Sequence, residues 1–181
     1  MAERSGAALR FAEVQFLGQV NVRLDPESAA AEKVGVALGV PLPLEPNTST
    51  LAGELTVLWL GPDEWLVLGP PRSADGIEAL LRSAIGAEPA AVVDVSAQRR
   101  TLVVAGPRAR DLLAHGCALD LHPREFGAGR CAQTTLARAP VVLVARDGAA
   151  EAPEFWVLVT ASYAAYLGEW LVDAATEYFD G

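Results

Sequence analysis

Residues 92–113 read VVDVSAQRRTLVVAGPRARDLL, from Val92 to Leu113, and this stretch decides the fold class. An apolar run meets a short polar corner, a second apolar run follows, and Gly106-Pro107 then opens onto Leu112 and Leu113. Short apolar runs bounded by polar corners predict strands over Ala91–Val95 and Thr101–Ala105. Proline fits the first turn of a helix, where its missing N–H costs nothing, so a short helix is predicted next, stopped at Gly116. The stretch carries no nucleophile–base pair, no phosphate loop and no metal cluster.

The same grammar extends outward. From Phe11 to Leu24 apolar residues alternate, which predicts one half-buried strand with a bulge at Gly18 where the phase shifts. Asp25-Pro26-Glu27 predicts a helix start, with Asp25 as N-cap, running to Leu38 and closed by Gly39. Pro41, Pro43 and Pro46 then predict an extended loop through Asn47-Thr48-Ser49. Glu54–Leu60 and Glu64–Leu68 predict two strands about a Gly61-Pro62-Asp63 corner. Ser73 predicts the cap of a helix presenting Ile77, Leu80, Leu81 and Ile85 and ending at Gly86. Cys131–Leu136, Val141–Arg146 and Phe155–Thr160 predict further strands. Ser162 predicts the cap of a final helix with the stripe Tyr163, Leu167, Trp170, Leu171, Ala174 and Tyr178.

The order βαββαβ followed by βαβββα predicts an α+β protein: two associated antiparallel-sheet-plus-helix units of the split βαβ type. Residues 1–10 are expected to fray. Residues 11–181 are expected to form a single compact domain with pseudo-related halves, about 11–96 and 97–181. Each half contains a hairpin running into an amphipathic helix, residues 54–85 and again 141–178.

Composition narrows the function. Of 181 residues 51% are hydrophobic, which fits a folded core, and the net charge of −9 argues against a dedicated nucleic-acid binder. Residues 147–181 hold seven acidic side chains and no basic one, whereas 91–146 hold eight basic and four acidic. Two cysteines make no disulfide framework. The first residues lack the apolar segment of a signal peptide and the apolar runs are too short to span a bilayer, so a cytoplasmic location is the expectation.

Chemistry-bearing residues are few. Asp94 and Ser96 share a strand face, but neither His115 nor His122 lies near them in sequence, which disfavours a hydrolase. His115, Cys117, His122 and Cys131 have a spacing unlike the usual zinc knuckles, and buried thiols ordinarily pack as small apolar groups. Gly127-Ala128-Gly129 precedes a strand, the reverse of a phosphate-binding turn. Trp59, Trp65, Trp156 and Trp170 read first as core. Trp65, beside the acidic corner Asp63-Glu64, is the candidate interface anchor, with Asp63 next to it. Arg99 and Arg100 read equally as partners of Asp94 or Asp111 and as inter-subunit or anion contacts.

WLGPDEWLVL (59–68), VVDVSAQRRTLVVAGPRARDLL (92–113), FGAGRCAQTTLA (126–137) and FWVLVTASYAAYLGEWLVDAATEY (155–178) together resemble the gamma subunit of heterotetrameric sarcosine oxidase. The order and spacing carry the resemblance, which covers most of the chain beyond about residue 12. That family is distantly similar to the folate-binding fold of the glycine-cleavage aminomethyltransferase. In the folate-binding relatives an acidic pair follows the Gly-rich turn and its strand. Here the region reads TTLARAPVVLVAR, with Arg138 in place and no carboxylate before Asp147, so Asp94 is the one weak folate candidate. The resemblance implies a non-catalytic structural subunit with no cofactor of its own, beside alpha, beta and delta partners. FAD, FMN, NAD, tetrahydrofolate and zinc are implied for those partners. It implies that the complex demethylates sarcosine to glycine oxidatively. A free-standing folate-dependent transferase or folate-binding protein is the alternative, and an α+β module of unknown ligand a third.

Overall fold

The computed structural model describes residues 4–149 and 151–179. Of residues 1–10, expected to fray, 1–3 lie outside them, as does the chain beyond residue 179; the rest is corrected, since Arg4–Ser5 form a strand and Leu9 is buried. In chain order the elements are β1 (Arg4–Ser5), β2 (Arg10–Val14), β3 (Leu17–Leu24), α1 (Ala29–Leu38), β4 (Ser49–Ala52), β5 (Leu55–Gly61), β6 (Glu64–Pro71), α2 (Ala74–Ile85), β7 (Ala90–Asp94) and β8 (Arg99–Ala105). There follow α3 (Ala109–Ala114), β9 (Cys131–Leu136), β10 (Ala139–Ala149), β11 (Ala152–Thr160), a 3-10 turn (Ala161–Tyr163), α4 (Ala164–Ala174) and α5 (Thr176–Phe179). The chain divides into two compact units: Phe16–Ala97, and a second that joins the residues up to Gln15 to those from Gln98 onward.

In the Phe16–Ala97 unit the sheet runs β4-β5-β6-β3-β7 with every neighbouring pair antiparallel. β3 and β5 both oppose β6, so they run parallel to each other with β6 between them: a split βαβ with α1 as its crossover. Val20, Val22, Trp65, Val67 and Val92 point to one face and pack against Val34 and Leu38 of α1 and Ile77, Leu81 and Ile85 of α2. Burying each Leu or Ile side chain contributes about 1.5–3 kcal/mol. The other face is also closed, with Leu58, Leu66 and Leu68 buried.

In the second unit the order is β1-β2-β8-β11-β10-β9, again antiparallel. Leu102, Val104, Phe155, Val157, Val141 and Leu143 pack against Leu112 and Leu113 of α3 and Leu167 and Leu171 of α4. The wiring matches that of the first unit: β8 stands for β3, the β10–β11 hairpin for β5–β6, β9 for β4. The fifth strand differs in origin. β7 follows α2 directly, whereas its counterpart β2 comes from before β3, at the start of the chain.

That is where the sequence expectation is corrected. Phe11–Leu24 is not one strand but two, β2 and β3, in different sheets. The break falls at Phe16, whose φ of +58° turns the chain, and Arg72 N–H donates to Phe16 O at 2.8 Å. The irregularity expected at Gly18 is present, between Leu17 and Gly18. A side chain there has no room, because a Cβ would lie 2.4 Å from Ser73 Oγ. The cap of α1 is Ser28, which accepts from Ala31 N–H at 3.3 Å, while Asp25 accepts from Glu27 N–H at 2.9 Å one turn earlier. Ser49, expected as the end of the loop, opens an edge strand, Ser49–Ala52. The last helix is preceded by the 3-10 turn and breaks at Ala175, so Ser162 does not cap it. No helix among the described residues is long and apolar enough to cross a membrane.

Candidate functional site

The corner after β7 is built from its own side chains. Asp94 Oδ1 accepts from Ser96 N–H at 2.8 Å and from Ser96 Oγ–H at 2.6 Å. Ser96 Oγ in turn accepts from Gln19 N–H at 2.9 Å, and Val95 N–H donates to Gln19 O at 2.8 Å. This is an Asx-type turn that ends β7 and ties it to β3. Asp94 Oδ1 is thus committed to the turn, and Asp94 lines neither groove described below.

Arg100 Nη1 lies 3.0 Å from Glu13 Oε1 across the β2–β8 pair, and Asp111 is taken by Arg108 at 3.0 Å. Of the two readings given for Arg100, the pairing with Asp94 or Asp111 is thus corrected: its partner is Glu13. Strand register sends Arg100 to the β2 side on the helix-bearing face, and half-buried Arg99 to the opposite face beside Thr160. Asp63 stays exposed at the β5–β6 corner, with its carboxylate 3.0 Å from Arg23 Nη2. Trp65 is corrected too: it is fully buried, and its indole N–H donates to Pro43 O at 2.8 Å. Alternation turns Trp65 to the helix face, so it presents no surface to a neighbour. Trp156 is half-buried, donates to Glu154 Oε1 at 3.0 Å and lies under the Arg146 guanidinium, 4.3 Å from the ring centroid.

The four histidines and cysteines do not gather. Cys117 and Cys131 are buried in the core, and among the described residues no group of three or more His, Cys, Asp or Glu is placed to hold a metal ion. His115 Nε2 stands 2.9 Å from Tyr178 Oη and 3.1 Å from Glu177 Oε1, so it fastens α5 to the end of α3. Burial, then the neighbouring Glu177, raises the Tyr178 hydroxyl above the usual tyrosine range. Arg110 donates to Leu121 O and, at 3.0 Å, to Phe126 O, and stacks 4.9 Å from the Phe155 ring centroid. Burial lowers its guanidinium below the ordinary value.

Two open grooves stand out among the described residues. One, in the second unit, has a volume of about 840 Å³ between Glu13, Arg100 and Leu102 of the sheet and the small residues Ala164, Ala165 and Gly168 of α4. The other, in the Phe16–Ala97 unit, has a volume of about 570 Å³ and lies between α1 and the proline loop that follows it. Its walls are apolar: Val36 and Leu44 line it at 83% and 64% exposure, with Val40 and Pro41 between them, and Glu32 is the charged residue on its wall. Sequence reading passed over this groove because it took α1 from its start and stop signals alone and the prolines as an extended loop. The signal was present: in AAAEKVGVAL, Val36 falls three and four residues from Lys33 and Glu32, which puts an aliphatic side chain on the charged face.

Comparison with known proteins places this geometry. The family model described as sarcosine oxidase, gamma subunit, matches residues 22–177. The chain is 42% identical over 180 residues to the sarcosine oxidase subunit gamma of an Arthrobacter species, covering 98% of this chain and 86% of that protein. It superposes with a TM-score of 0.86 and 37% identity on a chain of the heterotetrameric sarcosine oxidase from Corynebacterium sp. U-96, over 97% of this chain and 88% of that one. It shares its fold with the glycine cleavage system aminomethyltransferase T of Bartonella henselae, TM-score 0.71 at 19% identity, over 92% of this chain and 46% of that one.

Proposed function

From the premise that this chain belongs to the sarcosine oxidase gamma subunit family, we propose that it is the structural gamma subunit of a heterotetrameric sarcosine oxidase. The assembled enzyme converts sarcosine, water and oxygen to glycine, formaldehyde and hydrogen peroxide. With tetrahydrofolate present, the one-carbon unit passes to the folate instead of leaving as formaldehyde. The alpha, beta and delta partners carry the chemistry, with FAD, FMN, NAD, tetrahydrofolate and zinc bound there.

One observation carries the reading. Three of the polar candidates read from the sequence make their contacts within this fold: Asp94 with Ser96, Arg100 with Glu13, Trp65 with Pro43. Its similarity runs along nearly the whole chain, so what is retained is shape. The test is co-expression with the other subunits from the same source. A stoichiometric complex that retains this chain through gel filtration and oxidises sarcosine supports the reading. A stable monomer with no affinity for the flavin-bearing subunits, or turnover by the chain in isolation, would overturn it.

A further inference from the structure

We propose that the groove between α1 and the 39–46 loop is a docking site for another subunit of the oxidase, filled by an aliphatic or aromatic side chain flanked by Lys or Arg. The inference rests on the subunit reading above and names the surface and the chemistry of the contact.

Three observations converge. First, a large aliphatic side chain is ordinarily turned to the buried stripe of a helix, not to its charged face. α1 buries Ala30, Val34 and Leu38 against its own sheet, yet leaves Val36 at 83% exposure on the groove side. Second, the groove is contiguous and apolar. Val36 and Leu44 face it from opposite walls, and its volume of about 570 Å³ would admit a bulky side chain with its neighbours. Gly35 lets the loop approach closely, since a Cβ there would sit 3.3 Å from Pro41 Cα and Val40 O. Third, the charged residue that lines the groove, Glu32, is acidic, and the flanking chain is mostly of that sign. Residues 25–46 carry the exposed carboxylates Asp25, Glu27, Glu32 and Glu45 and a single cation, Lys33. That cation is held by Glu88 at 2.9 Å. Apolar floor and acidic rim together select a partner segment that is apolar at its centre and basic at its edge.

The experiment measures association of the full chain with the remaining recombinant subunits of its oxidase by biolayer interferometry at low and high salt. Val36→Glu and Leu44→Glu are expected to weaken assembly by about tenfold or more, since each puts a charge at the centre of the contact. Val36→Leu should assemble like wild type. Glu32→Lys should slow association and flatten its salt dependence. Leu51→Glu, an equivalent change on exposed β4, should leave affinity unchanged, and thermal unfolding of each isolated variant should match wild type. Wild-type affinity in Val36→Glu and Leu44→Glu would overturn the docking site while leaving the subunit reading intact. Equal weakening by Leu51→Glu would overturn its location. Loss of a dimer of this chain without loss of assembly would assign the groove to a second copy and overturn the proposed partner. Failure of the wild-type chain to assemble would overturn the subunit reading itself.

Discussion

Replacing Trp65 by Phe tests how the proline loop is held. Trp65 is fully buried, and its indole N–H reaches Pro43 O at 2.8 Å. Pro43 is itself buried, so without that donor its carbonyl has no water to turn to. Leaving a buried acceptor unpaired costs about 1–3 kcal/mol. The smaller ring also opens a void against Val22, its strand partner, adding about 1–2 kcal/mol. The two terms centre at about 3.5 kcal/mol, which for a chain of this size lowers the unfolding midpoint by about 7–14 °C. Thermal unfolding followed by circular dichroism measures the total. Hydrogen–deuterium exchange locates it: amides of residues 39–46 should lose protection out of proportion to those of α2. A midpoint within about 2 °C of wild type, with unchanged exchange in that loop, would show that Pro43 is held by something other than the indole.

Gly116→Ala brings a Cβ to 2.8 Å from both Ala137 N and the Trp170 ring, so the variant should lose about 1–3 kcal/mol in denaturant unfolding. Asp94→Ala removes the acceptor for two bonds from Ser96 and should cost about 0.5–1.5 kcal/mol. It should leave one-carbon transfer to tetrahydrofolate by the assembled oxidase unchanged; a selective loss of that transfer would restore Asp94 as a ligand group. The hydrogen bond from Lys33 holds the Glu88 carboxyl below the usual glutamate range. A lowered folded-state value means the contribution is complete above the unfolded value, near pH ~4.3, and is lost as pH falls through the folded one. Glu88→Gln should therefore be less stable than wild type at pH 7, and the two curves should converge in acid. High salt should shrink the gap, because Lys33 is more than half exposed.

The fold was legible wherever a hydrophobic period ran uninterrupted between Gly or Pro boundaries. The β5–β6 hairpin, α2 with Ile77, Leu81 and Ile85, and α1 closed by Gly39 at φ +81° all follow from spacing and turn chemistry. What failed to show was long-range. Phe11–Leu24 alternates like one strand, and only sheet partners placed far away in the chain, Val104 for Phe11 and Trp65 for Val22, reveal it as two. Phe16 gives no local warning, because a positive φ is expected of Gly or Asn rather than of an aromatic residue. The candidate residues divide in the same way. Asp63 is exposed as its corner predicts, but the partner of Arg100 is Glu13, 87 residues away. Strand phase alone sends Trp65 inward, a fact hidden until the face of β6 that meets the helices is known.

The matched wiring of the two units gives an internal control for the open groove. α1 and α3 are counterparts, each the first helix after the matched strands β3 and β8. The segment after α3 runs from residue 115 to 130 and sends Leu121 and Phe126 into the core of its own unit, pinned there by Arg110. The segment after α1 runs only from 39 to 48 and holds three prolines, which extend it and leave few residues to fold back. It buries Leu42 and Pro43 but leaves Leu44 outside, across from Val36. One unit thus closes its first helix with its own chain. The other lacks the length to do so, and the apolar surface left over on α1 is of the kind a neighbouring subunit covers.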